Sequence, residues 1–124
     1  MRVLLGSVAL AVLLGSAMTG RGHAADSEAG KAIFKQCLLC HTDEKGKNKV
    51  GPSLFAIVGR KSASLADYNY SDAMKNFNRV WTAQTLDTYL TDPRAMVPGT
   101  KMIFPGIKDK SERANLIAYL ETLK

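Results

Sequence analysis

Cysteine and histidine are scarce in this 124-residue chain, two of each, and their scarcity excludes a good deal. Two cysteines cannot build the dense disulfide scaffold of many small secreted domains. A structural zinc site needs four ligands, usually cysteine or histidine, and residues 26–124 offer only three. No run of lysine or arginine is interleaved with stacking aromatics, as a single-strand binder requires, so nucleic acid is not an expected partner. No stretch alternates like a set of strands, no internal repeat or linker is visible, and no apolar run reaches the ~20 residues that span hydrocarbon.

The apolar run that does exist opens the chain. Met1-Arg2 gives a short positive start, Val3 to Ala17 is interrupted only by Gly6, Ser7, Gly15 and Ser16, and Gly22-His23-Ala24-Ala25 supplies small residues for a signal peptidase. This is the pattern of a secretory signal peptide over residues 1–25, cut after Ala24 or Ala25. Its removal leaves 99 residues and takes away Arg2 and Arg21 but no acid, so the net charge falls from +6 to +4. The expectation is one exported domain, 26–124, working as a monomer in the periplasm without stable membrane insertion.

The remaining cysteines and histidine lie together in Cys37-Leu38-Leu39-Cys40-His41. A zinc site lacks its fourth ligand, and a disulfide oxidoreductase lacks its strand framework. A plain disulfide between Cys37 and Cys40 is the unremarkable alternative. The other reading is covalent haem: two thiols about one helical turn apart can add to the two vinyl groups on one porphyrin edge, with the adjacent imidazole beneath the iron. A domain of 99 residues buries little apolar surface by itself, and an enclosed cofactor would supply both core and staple.

The fold class expected is all-α with long loops. Asp26 or Ser27 can cap a first helix on which Ala29, Ile33 and Cys37 share a face with Phe34 beside them. Asp43 to Gly51 reads as a loop and Gly51-Pro52 as a turn. Ser71 caps a short helix over 72–76, and Thr82 precedes one with Leu86, Tyr89 and Leu90 on one face, stopped at Asp92-Pro93. Three prolines and two glycines from there to Gly106 argue against regular structure. A last helix from Ser111 carries Ala114, Leu116, Ile117, Leu120 and Leu123 as its apolar stripe.

An iron held by His41 has a sixth position, and with no second histidine in 26–124 the candidates to fill it are Met74, Met96, Met102 or a lysine. Met74 and Met96 read as packing filler. Met102 lies in Val97-Pro98-Gly99-Thr100-Lys101-Met102-Ile103-Phe104-Pro105-Gly106, a punctuated apolar loop able to lie against a macrocycle and present one thioether to the metal.

Gly30-Lys31-Ala32-Ile33-Phe34, Cys37-x-x-Cys40-His41, Gly51-Pro52-Ser53-Leu54, Gly59-Arg60-Lys61, Trp81, the segment from Pro98 to Phe104, and Leu116 to Leu120 together resemble the class I c-type cytochromes, in the mitochondrial cytochrome c and bacterial cytochrome c-two branch. The resemblance runs in order through essentially all of 26–124. It implies the small cytochrome c fold around one haem c, with thioethers at Cys37 and Cys40 and axial ligands His41 and Met102. Pro52 would accept the His41 ring N–H, Tyr70 and Trp81 would donate to a buried propionate with Arg60 as the nearby cation, and Thr100 would bond the second propionate. Tyr89 would place its hydroxyl near the Met102 sulfur, and Gly30, Phe34, Leu116 and Tyr119 would meet where the first and last helices cross. The chain departs from the pattern at Met74, where asparagine is frequent, and at Ala63 and Asp67, where glycines are common; a displaced reduction potential would follow.

The function expected is one-electron carriage, without enzymatic turnover, in a respiratory or related electron-transport chain. The alternative is a haem peroxidase or gas-binding protein with a labile methionine. By the family's geometry Lys31, Lys35, Lys101 and Lys108 would ring the exposed haem edge, with Lys45, Lys47 and Lys49 nearby. Such a ring would steer an acidic partner: a quinol-oxidising complex, terminal oxidase, reaction centre or periplasmic dehydrogenase.

Overall fold

The computed structural model describes residues 24–124. The expected signal peptide, but for Ala24 and Ala25, lies outside them. Five helices follow in order: α1 (Ser27–Phe34), α2 (Asp72–Phe77), α3 (Ala83–Thr91), α4 (Pro93–Met96) and α5 (Lys110–Leu120), with a 3₁₀ turn at Cys37–Leu39. Among the described residues the β pairing is one isolated bridge, Lys61 to Val80, so the chain is all-α as expected.

The architecture rests on α1 crossing α5. Asp26 Oδ1 accepts the amide N–H groups of Glu28 at 2.9 Å and Ala29 at 3.2 Å, capping α1, while its own N–H donates to Asn115 Oδ1 of α5 at 2.8 Å. At the crossing Gly30 faces the Asn115 carbonyl so closely that a Cβ would run into it. The missing side chain lets Phe34 and Leu116, each 1% exposed, reach full burial, worth ~1.5–3 kcal/mol apiece. Phe34 meets the Tyr119 ring at 5.0 Å between centroids.

Four expectations need correction. α1 ends at Phe34, so Cys37 lies on the tighter turn that follows, where Cys40 N–H (3.1 Å) and His41 N–H (2.8 Å) both donate to the Cys37 carbonyl. The segment after Asp92 is regular for one turn: Asp92 caps α4 through the Ala95 amide at 3.2 Å, and Pro93 occupies the first turn, where its absent N–H would have had no partner. α5 begins at Lys110, capped by Asp109 onto the Glu112 amide at 2.8 Å.

The buried face of α5 also differs from the expected stripe, because Ala114 is exposed and Arg113 is only 8% exposed. Arg113 Nε donates to Asp87 Oδ1 on α3 at 2.8 Å, and Nη1 donates to the carbonyls of Ile107 and Lys108, each at 3.0 Å. One guanidinium therefore ties α5 to α3 and to the end of the loop that carries Met102. Helices α2 and α3 start where expected, with Ser71 on Met74 N–H and Thr82 on Thr85 N–H, both at 3.1 Å.

Tyr119 Oη reaches back from α5 to donate to Asp43 Oδ2 at 2.9 Å, just beyond His41. Burial, reinforced by the Asp43 contact, pushes this phenol up to about 12, against ~10 in an unfolded chain. The unfolded state thus ionises first, so the group's contribution is complete below pH ~10 and lost as pH rises to ~12. Replacing Tyr119 by Phe should cost ~1–2 kcal/mol at neutral pH and flatten the alkaline limb of stability, as measured by urea unfolding at stepped pH.

Candidate functional site

The residues singled out by the sequence converge on one cavity of about 510 Å³. Its wall includes Cys37, Cys40 and His41 from the turn after α1, Arg60, Tyr70 and Trp81 from the middle of the chain, and Tyr89, Thr100 and Met102 from α3 and the loop beyond. Core side chains such as Ile57, Leu86, Leu90 and Leu116 supply the rest of an apolar lining.

His41 is fixed by its other contacts. Its Nδ1 lies 2.7 Å from the Pro52 carbonyl oxygen, which can only accept, so Nδ1 carries the proton and Nε2 keeps its lone pair. The ring packs on the bare backbone of Gly51, where a Cβ would stand 2.5 Å from Cε1. The Gly51 amide in turn donates to the Cys40 carbonyl at 2.7 Å. Burial holds the imidazole pKa below its ordinary value, with the nearby Arg60 and Lys49 charges acting the same way and the Pro52 bond opposing them. The outcome is a neutral, oriented imidazole.

Met102 is half-buried, and its sulfur accepts from Tyr89 Oη at 3.4 Å. Because the phenol has one proton, Thr100 Oγ1 is the donor in the 3.3 Å contact with Tyr89 Oη, and it also accepts from Met102 N–H at 3.3 Å. Burial raises the Tyr89 pKa, which keeps it a donor. Thr100, which the resemblance assigns to a propionate, is thus built into the support of Met102.

Arg60 forms neither an ion pair nor a free surface group: Nη1 donates to Phe55 O at 3.0 Å and Nη2 to Ser53 O at 2.8 Å. Backbone bonds of Trp81 N–H to Arg60 O (2.9 Å) and of Gly59 N–H to Trp81 O (2.8 Å) set Arg60 beside Trp81 at the cavity. Tyr70 Oη accepts from the Leu65 amide at 3.3 Å. Met74 lines the cavity through packing, where the resemblance would put a polar amide.

The two thiols are not joined. Burial raises the Cys37 pKa to about 11, the opposite of the activated thiolate on which a disulfide oxidoreductase depends. An apolar slot with two thiols, a neutral imidazole of fixed tautomer and a hydrogen-bonded thioether is a donor set that fits a covalently attached haem. The described residues contain no group of three or more His, Cys, Asp or Glu able to hold a bare metal ion.

The family model of cytochrome c matches residues 27–124. The chain belongs to the cytochrome c family. It is 53% identical over 100 residues to cytochrome c2 of Rhodopila globiformis, covering 80% of this chain and 94% of that protein. With cytochrome c2 of Rhodoplanes tepidamans it shares 52% over 96 residues, 77% of this chain and 90% of that one. Among solved structures, cytochrome cH from Methylobacterium extorquens superposes with a TM-score of 0.74 at 44% identity, covering 79% of this chain and 99% of that one. This cytochrome c therefore carries one covalently bound haem c and serves as an electron carrier, not an enzyme.

The sequence reading missed Arg113, Asp43 and Tyr68. Arg113 could have been found from its place at i, i+3, i+4 and i+7 with Leu116, Ile117 and Leu120. The departure at Ala63 has a backbone cost: its φ is +53°, in the left-handed region that glycine occupies freely. That conformation costs an alanine ~1–2 kcal/mol, offset by glycine's greater freedom when unfolded. Replacing Ala63 by Gly should therefore stabilise the fold by ~0.5–1 kcal/mol, read as a higher denaturation midpoint at unchanged slope.

Proposed function

We propose that the chain is a soluble periplasmic one-electron carrier in which Cys37 and Cys40 form the haem thioethers and His41 and Met102 are the axial ligands. One observation carries this reading: an imidazole with its Nδ1 proton committed to Pro52 and a thioether held by Tyr89 line the same cavity as the two thiols. The haem would supply a reversible Fe(II)/Fe(III) couple, and ligation by the Met102 thioether together with the His41 imidazole would favour its reduced form.

The protein's part is to hold still. Pro52 and Gly51 fix the rotation of His41, while Tyr89, itself bonded by Thr100, holds the sulfur of Met102. Both supports are neutral, so neither ligand needs a proton to accompany the electron. Supports that bind equally in both oxidation states keep the reorganisation small. Arg60, with Tyr70 and Trp81 beside it, supplies the positive charge and donors that suit buried propionates.

Export is supported by the composition of residues 1–25, with cleavage after Ala24 or Ala25. No helix among the described residues is long and apolar enough to cross a membrane. The exposed lysines support docking to an acidic redox protein, but they are not equivalent. Lys47 is paired with Glu44 at 3.3 Å, and Lys108 Nζ donates to Thr91 O at 2.7 Å. Lys31 and Lys35, exposed at the end of α1, keep their charges directed to solvent.

Two measurements test this function. Met102→Ala should abolish the red-edge iron–sulfur band of the oxidised protein and lower the potential by on the order of 0.1 V, within the roughly 0.8 V that axial ligands command; an unchanged spectrum removes Met102 as ligand. The association rate with an acidic partner should fall about tenfold between low and physiological salt; a flat salt profile removes the steering role of the lysines.

A further inference from the structure

Tyr68 lines the same cavity without holding either of its end groups, and it touches both sides of it. Its hydroxyl donates to the Val50 carbonyl at 2.7 Å. Val50 immediately precedes Gly51 and Pro52, the two residues that seat the His41 ring. On the other side the Lys101 ammonium stands 4.7 Å from the centroid of the Tyr68 ring and also donates to the Asn69 carbonyl. Lys101 immediately precedes Met102. The Tyr68 and Tyr70 rings meet edge to face, with centroids 4.8 Å apart and planes at 73°, which restrains the orientation of Tyr68. The same loop is tied a second time to the His41 side, since Asn48 Nδ2 donates to Asp67 O at 3.3 Å and Asn48 Oδ1 accepts from Ser53 N–H at 2.8 Å.

The segment bearing Met102 needs such a tie. Pro98 and Gly99 are exposed, and within the loop the backbone is held by a Thr100 to Val97 bond of 3.0 Å and a Met102 to Thr100 side-chain bond of 3.3 Å. A loop with so few bonds opens locally at low cost. Lys101, gripped by a ring face and a backbone carbonyl that are themselves anchored beside His41, removes part of that freedom.

We propose that Tyr68 is a positioning residue: it braces the Met102 segment against the His41 segment and so slows departure of the Met102 sulfur from the iron. The proposal rests on the assignment of Met102 as axial ligand.

The test is stopped-flow binding of imidazole to the oxidised holoprotein at one neutral pH, at saturating imidazole, where loss of the sulfur limits the rate. Tyr68→Leu, which removes both contacts, should raise that rate roughly tenfold, and Tyr68→Phe, which keeps the ring and loses the Val50 bond, should raise it about threefold. In a Lys101→Gln background the step from Phe to Leu should shrink to near unity, because the cation that the ring holds is gone. Tyr119→Phe serves as the control for general destabilisation and should leave the rate unaltered. Unchanged kinetics in Tyr68→Leu, equal acceleration in Tyr119→Phe, or full additivity with Lys101→Gln would each overturn the proposal. If Tyr68→Leu does not fold, Tyr68→Phe and Lys101→Gln, singly and together, decide it: additive effects overturn the brace and non-additive ones support it. Retention of the iron–sulfur band in Met102→Ala overturns the ligand assignment and the brace with it. Loss of the band there, with unchanged kinetics in the Tyr68 variants, overturns the brace alone.

Discussion

The hydrogen bond from His41 Nδ1 to the Pro52 carbonyl is the contact on which the site depends. It settles the tautomer, the ring orientation and the direction of the free lone pair at once. It also explains why the loop from Asp43 to Pro52 must return to where it began. The bond of Gly51 N–H to Cys40 O and the close seat of the ring on Gly51 are the means by which that return is made. A side chain at residue 51 would displace the imidazole, so the glycine there serves close approach, not turn geometry.

The remainder of the fold holds that loop and the Met102 segment at a set separation. The α1 and α5 crossing fixes the segment that begins with Cys37. Arg113 does the corresponding work at the far end, joining α5, α3 and the carbonyls of Ile107 and Lys108. Since α3 carries Tyr89, the sulfur of Met102 and its donor are located by the same guanidinium. Burying an arginine costs several kcal/mol unless its donors are met, and here three acceptors meet the N–H groups of Nε and Nη1, one of them a carboxylate open to solvent.

What the residues made legible by themselves was local; the crossing of Gly30 and Phe34 with Leu116 and Tyr119, and Tyr89 beside Met102, came through the resemblance. Ser71 and Thr82 were readable as caps because a cap is a bond between neighbours three residues apart. The cluster of Cys37, Cys40 and His41 was readable because its chemistry is compressed into five residues. What escaped depended on residues far apart in the chain: Tyr119 with Asp43, Arg113 with Asp87, and Tyr68 with Val50 and Lys101. α4 escaped for a different reason, since proline was weighed as a breaker although it sits in a helical first turn without penalty. The extension of α1 to Cys37 failed because helical periodicity cannot distinguish a continuing helix from a 3₁₀ turn that places the next side chain nearby. Ala63 shows the reverse case, in which a residue type suggests ordinary backbone and the fold imposes a left-handed one.

Charge economy joins these observations to electron transfer. With His41 and Met102 as the axial pair, the groups supporting each are neutral in the folded state: an imidazole N–H on a carbonyl, and a phenol on a thioether with a hydroxyl behind the phenol. A site built this way offers no proton that must be gained or lost when the iron changes charge. Arg60, which lines the cavity beside Trp81, is clamped by two backbone carbonyls and therefore unable to swing in response. A change of one unit of charge in the cavity then meets fixed dipoles, not mobile ones, and fixed dipoles contribute little to reorganisation. The mobile charges of this molecule are on its surface, at lysines such as Lys31 and Lys35, where they can adjust to a partner without disturbing the couple. The interior is specialised for an unvarying environment, and adaptability is left to side chains that the iron does not depend on.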